Sequence, residues 1–175
     1  VFLFMEISRS YSTEDIARFP TSSRAETPVT PEGLVFKDIT VAPLGEIKER
    51  ILQHVQRERA RNPNYRVIDI GGTASGWSGS IVDVLVDLLP PETSDITYFE
   101  VNLGVPETWK VLHDYVAENG KFDFCICTHT LEDLALPHYV VSQISKIAHS
   151  GAISTPSRFS EFTRFESAEP GLPTV

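Results

Sequence analysis

Several short apolar runs in this chain end on Asp, Asn, Gly, Thr or His, the residue types that can bind or react. They are Asp69 with Gly71 and Gly72, then Asp87, Asn102, and Thr128 with His129. In open parallel sheets, ligands sit outside the carboxyl ends of the strands, where strand order reverses. Asp, Asn and Gly are also ordinary turn residues, so the pattern alone suggests a site without deciding for one. The run Asp69-Ile70-Gly71-Gly72-Thr73-Ala74-Ser75-Gly76 brings backbone close to a cofactor, because glycine has no Cβ and admits positive φ. Its spacing is neither the GxGxxG dinucleotide fingerprint nor a phosphate loop, and no lysine follows it. Asp87 lies 18 residues after Asp69. A carboxylate there can accept hydrogen bonds from both hydroxyls of a ribose, and a cap or turn aspartate is the plainer role. Asn102 offers an adenine both a donor and an acceptor, and a turn asparagine is its alternative.

These residues need elements to position them. Leu44, Ile47, Ile51, Leu52 and Val55 recur at helical spacing and predict an amphipathic helix over 44–60, stopped by Pro63. Strands are predicted at 65–70, 82–86, 96–101, 122–127 and 152–155. Helices are predicted at 106–118, with Val105, Trp109, Leu112 and Val116 inward, and from Pro137 to a stop at Gly151. Near-continuous apolar strands alternating with helices give an α/β chain with a Rossmann-like parallel sheet flanked by helices. Only a short stretch separates the first two strands, so either the usual crossover helix shrinks to a turn there or Ser80 to Leu89 is that helix; the alternating, β-branched Val82, Val84 and Val86 favour the strand. Residues 1–33, with Pro20, Pro28 and Pro31, read as a poorly ordered arm. They are followed by a leading helix region over 34–64, a core over 65–160 and a tail over 161–175.

The 175 residues are 41% hydrophobic and 22% charged, which suits one globular domain. No apolar run approaches the ~20 residues of a membrane span, so no membrane partner is expected and the cytoplasm is the expected location. A net charge of −9 disfavours nucleic acid, which requires a concentrated positive field. The basic residues from Lys48 to Arg66 are interleaved with Glu46, Glu49 and Glu58, as on a solvated helix face. Cys125 and Cys127 read as free buried thiols, and no His/Cys cluster suggests a metal. Trp77 reads as loop packing or a cover for a cofactor, and Trp109 as core. His54, His113, His138 and His149 lack partners at ligand spacing.

Val67-Ile68-Asp69-Ile70-Gly71-Gly72 resembles motif I of the class I S-adenosylmethionine-dependent methyltransferases. The stretch from Phe122 to Asp133 is similar to the family's fourth strand and its loop. Residues 145–157 resemble the next helix and fifth strand in one branch of these enzymes. The resemblance covers residues 65–161. It implies S-adenosylmethionine as cofactor, with Asp69, Gly71, Gly72, Thr73 and Gly76 lining its methionine and ribose portion. It places Asp87 on the ribose, Asn102 at the adenine, and Thr128 and His129 facing the sulfonium and the acceptor. The implied activity is methyl transfer to a small-molecule or glycan-type acceptor.

Methyl transfer from a sulfonium depends mainly on alignment. Where the acceptor must first lose a proton, His129 is the candidate base and Glu132 the second, since imidazole exchanges protons near neutrality. Positioning a loop or touching the cofactor is the other role for His129. The chain departs from the family pattern at Asp133, where many relatives carry His, and at Asn102, where Asp is commoner. It begins at Val1 and ends soon after its fifth strand, whereas the family sheet has seven, so a domain incomplete at its C-terminal end is expected. Arg158, in the segment Ser157 to Glu161, is a candidate for holding an anionic group. A catalytically inactive methyltransferase-like binding module is one alternative. A sugar-nucleotide or nicotinamide enzyme is another, disfavoured by the absent GxGxxG.

Overall fold

Residues 2–8, 35–90 and 95–156 are described here, from a computed structural model. Five parallel strands carry the expected α/β alternation: β3 (Val67–Ile70), β4 (Val84–Asp87), β5 (Thr97–Glu100), β6 (Phe122–Thr128) and β7 (Ala148–Pro156). Their spatial order is β7-β6-β3-β4-β5. Sequence order therefore reverses between β3 and β6, as in doubly wound nucleotide-binding sheets. Every position of β3 is buried, which is why it reads as an unbroken apolar run rather than an alternating one.

Two more strands extend the sheet beyond β7: β1 (Phe2–Ser8) pairs antiparallel with β7, and β2 (Val35–Ala42) pairs antiparallel with β1. The sheet thus has seven strands, with the added pair drawn from the N-terminal side of the parallel set. Residues 2–8 fall within the expected arm and are strand instead. Residues 35–42 fall within the expected helix region and are also strand. The cause is long-range pairing, since Phe4 lies between Thr40 on one side and Ser154 on the other. No local periodicity announces such partners. Residues 9–34 and the segment from Ser157 onward, including Arg158, lie outside the described residues.

Helix α1 (Leu44–Arg61) puts Ile47, Ile51 and Val55, each four apart, against one face of the sheet. The opposite face is covered by α2 (Lys110–Asn119), entered through a short turn at Pro106–Trp109, and by α3 (Pro137–Ile147). Glu46 and Arg50 close at 2.8 Å on the outer side of α1. The connection from β3 to β4 contains no helix: residues 71–83 run through turns and pack Ala74, Trp77, Ile81 and Val82 toward the α1 face. Val105 is exposed rather than inward, while Trp109 and Leu112 are fully buried. The indole of Trp109 donates to Leu103 O at 3.1 Å. None of the described helices is long and apolar enough to cross a membrane.

Gly151 does not stop α3, which ends at Ile147; the glycine lies inside β7. It pairs with Cys125 of β6, and a Cβ at that position would stand 2.6 Å from Cys125 O. A backbone atom in a central strand cannot yield cheaply, so the residue is glycine because the strands meet there. Gly151→Ala should cost about 1–3 kcal/mol, read as a lower denaturant midpoint. Gly45→Ala, which meets nothing within 4 Å on α1, should stabilise by about 0.5–1 kcal/mol. Equal effects from the two would contradict this packing.

Candidate functional site

The carboxyl ends of β3 and β6 lie side by side at the reversal, and each is followed by a residue in left-handed backbone conformation. Gly71 has φ 79° and His129 has φ 55°, the one non-glycine residue with positive φ among those described. Histidine tolerates this region better than most residues, but still at a cost. The Gly71 N–H donates to Val86 O at 2.7 Å, tying the end of β3 to β4. The His129 N–H donates to Ser154 O at 2.9 Å, tying the end of β6 to β7. Across the reversal, Thr130 Oγ1 donates to Ile70 O at 3.2 Å and lies equally close to Thr128 O.

The glycines answer first to the chain's own packing. A Cβ on Gly71 would overlap the Thr130 side chain, and one on Gly72 would overlap the Asp69 carboxyl. Gly76 sits in a turn closed by its N–H to Thr73 O at 2.9 Å. Thr73 is exposed at that turn.

Asp69 is the most unusual residue of the group. It is 2% exposed and lies on the α1 face of β3, the face it shares with Val67. Ser78 Oγ donates to its Oδ2 at 2.5 Å, while Oδ1 is buried with no hydrogen-bond partner. Burial pushes its carboxyl up to about 7; the Ser78 bond opposes the shift and the charge of Asp87 adds to it. Cys125 and Cys127 are free and buried, and burial drives both thiols well up from the usual range.

His129 Nδ1 stands 3.2 Å from Glu132 Oε1, with both side chains mostly buried. The short turn Leu131–Asp133, anchored by buried Leu131, brings the carboxylate back to the imidazole. With the proton on Nδ1 donated to Glu132, Nε2 carries the lone pair, the arrangement of an oriented base. Asp87 ends β4 next to Gly71. Its Oδ1 accepts Leu88 N–H at 2.5 Å, and its carbonyl accepts the Tyr98 hydroxyl at 2.8 Å. Asn102 stands beyond the end of β5, exposed, and its Oδ1 accepts Gly104 N–H at 3.1 Å in a local turn.

The structure therefore gathers Asp69, Gly71, Gly72, Thr128, His129 and Glu132 around one point of the sheet, with Asp87 one strand away and Asn102 two. Ser78 and Thr130 belong to the same group without having been singled out by sequence. Thr130 lay inside a motif with nothing to distinguish it, and Ser78 carried no signal at all. Trp77 packs against the α1 side, under Lys48 Nζ at 5.7 Å from its ring centroid. His54 meets Tyr65, and His113 meets Gln143 at 2.9 Å between α2 and α3. No protein-family model matches the chain, and no curated protein matches it.

The position of Asp69 has a measurable consequence. Its carboxyl holds a proton in the folded protein at pH values where the unfolded chain has lost it, so folding stability falls as pH rises from about 4 to about 7. Above that window Asp69 is ionised in both states and its cost is constant. Asp69→Asn should remove the decline and stabilise the protein at pH 8 by on the order of 1–4 kcal/mol. Urea unfolding at pH 5 and pH 8 reads this directly. Parallel curves for the two proteins would show that the carboxyl is not held neutral.

Proposed function

We propose that the chain binds S-adenosylmethionine at the ends of β3, β4 and β6 and transfers its methyl group to a small-molecule or glycan-type acceptor. The observation that carries this reading is the pair of left-handed residues, Gly71 and His129, that end adjacent strands where the strand order reverses, with Asp87 closing the next strand. Gly71 and Gly72 expose backbone there, and the Asp87 carboxylate has the acceptor capacity to take ribose hydroxyls. Thr128 and His129 belong to the methyl-transfer side, at the end of β6. Asn102, though occupied with its own turn, remains the candidate for the adenine.

Bound S-adenosylmethionine supplies an activated methyl group, so the protein's task is chiefly to align donor and acceptor. His129 would take the acceptor's proton at Nε2, and Glu132 would hold the ring through Nδ1. Backbone geometry at φ 55° fixes where that ring departs from the strand. Thr130 anchors the same turn to β3 through Ile70 O. The rate contribution of these residues is orientation plus one proton transfer.

Calorimetric titration with S-adenosylhomocysteine tests the cofactor assignment. The expected result is binding that weakens about tenfold or more in Asp87→Ala, the loss of hydrogen bonds to a charged group, and no binding of NAD. A folded protein that ignores S-adenosylhomocysteine, or an Asp87→Ala variant that binds it unchanged, would overturn the assignment. Binding without methyl transfer to any hydroxyl, amine or thiol tried would instead mark a methyltransferase-like binding module.

A further inference from the structure

We propose that residues 72–80 form a lid over the end of β3, that Ser78 latches this lid to Asp69, and that ionisation of Asp69 releases it. In this sheet the β3–β4 connection is a run of turns rather than a helix, so its hold on the core comes from a few contacts. Trp77 and Ala74 lie against the α1 side, and Gly72 lies directly over the Asp69 carboxyl. Ser78, 2% exposed, donates to Oδ2 at 2.5 Å. Turn hydrogen bonds complete the lid: Gly76 N–H to Thr73 O, Gly79 N–H to Gly76 O and Ile81 N–H to Ser78 O.

A buried carboxylate needs more compensation than one hydroxyl provides. Oδ1 has no donor. No basic side chain among the described residues pairs with Asp69. The groups that face it add no positive charge. Asp87 at the end of β4 repels it, β6 presents Phe124 and Ile126 on that face while its Cys125 and Cys127 thiols lie on the other, and α1 presents Ile47, Ile51 and Val55. On the lid's outer side, Lys48 Nζ of α1 lies 5.7 Å from the Trp77 ring centroid. While Asp69 is protonated, the closed lid costs little. Once it is ionised, lifting the lid lets water reach the carboxylate and recovers its hydration. With the closed carboxyl near 7 and the open one at its ordinary value, the equilibrium constant for opening should rise about tenfold between pH 6 and pH 8.

The consequence for ligand binding, a glycine run whose Gly72, Thr73 and Gly76 move with the lid as pH rises, rests on reading that run as the cofactor site. The latch itself does not depend on which ligand enters. Hydrogen exchange of the Gly76, Gly79 and Ile81 amides, corrected for intrinsic rates, measures opening in the intact chain. The Gly120 amide, bonded to Val116 O at the far end of the sheet, serves as the reference. The proposal expects the lid amides to open about tenfold more at pH 8 than at pH 6 relative to Gly120, and Asp69→Asn to abolish that dependence. Ser78→Ala should raise lid exchange at both pH values. A carbon-13 titration of the Asp69 carboxyl in the unmodified chain reports the same ionisation without any variant. Lid exchange that does not change with pH, or that changes equally in Asp69→Asn, would overturn the latch. Failure of S-adenosylhomocysteine to bind, with the exchange result intact, would overturn the cofactor assignment alone.

Discussion

Asp69 sits near the carboxyl end of β3, beneath Gly72 and among apolar neighbours, with Ser78 donating to one of its oxygens and nothing to the other. The geometry above the sheet follows from accommodating that carboxyl. Residue 72 must be glycine because a Cβ would occupy the carboxyl's place. The chain must then fold back so that Ser78 can donate, which uses the β3–β4 connection as a cover instead of a helix. Residue 71 must bend through positive φ to begin that fold, and the space it vacates is filled by Thr130 from β6. Glycine motif, lid and the turn after β6 are thus parts of one packing problem.

This linkage changes what the glycine run means. A ligand is not needed to explain Gly71 or Gly72, since internal contacts already demand them. What internal packing does not explain is the expense kept at the same place: a carboxyl pushed up to about 7, and a histidine in left-handed backbone paired with Glu132. Costs of this kind persist where surrounding structure holds them, and they gather at sites that bind or react. The His129–Glu132 pair and Asp69 approach the reversal point from β6 and β3 respectively, with Asp69 beneath Gly72.

Much of this was legible in the sequence because it is local. The apolar stripe Ile47, Ile51, Val55 is a helix signal wherever it occurs, and α1 ends at Arg61, one residue past the predicted 60, just before Pro63. The apolar runs around Asp69, Asp87 and Thr128 announced three strands, predicted at 65–70, 82–86 and 122–127 and found at 67–70, 84–87 and 122–128. Contacts between distant segments were not legible. Strands β1 and β2 are strands because β7 offers an edge far along the chain. Gly151 looked like a helix stop because the real reason for it, Cys125 O, belongs to a neighbouring strand. Ser78 is an unremarkable serine until the fold sets it over Asp69. The site was therefore visible as a list of strand ends, and its energetics were not.

The most direct test of a ligand site at the β3–β6 reversal is an amide chemical-shift map of the protein titrated with S-adenosylhomocysteine. The account predicts that the largest changes fall on residues 71–72, 87–88 and 128–132, which are far apart in sequence and meet only at the carboxyl ends of these strands. Changes confined to the β1–β2 hairpin, the outer face of α1 or the amino ends of the strands would contradict it.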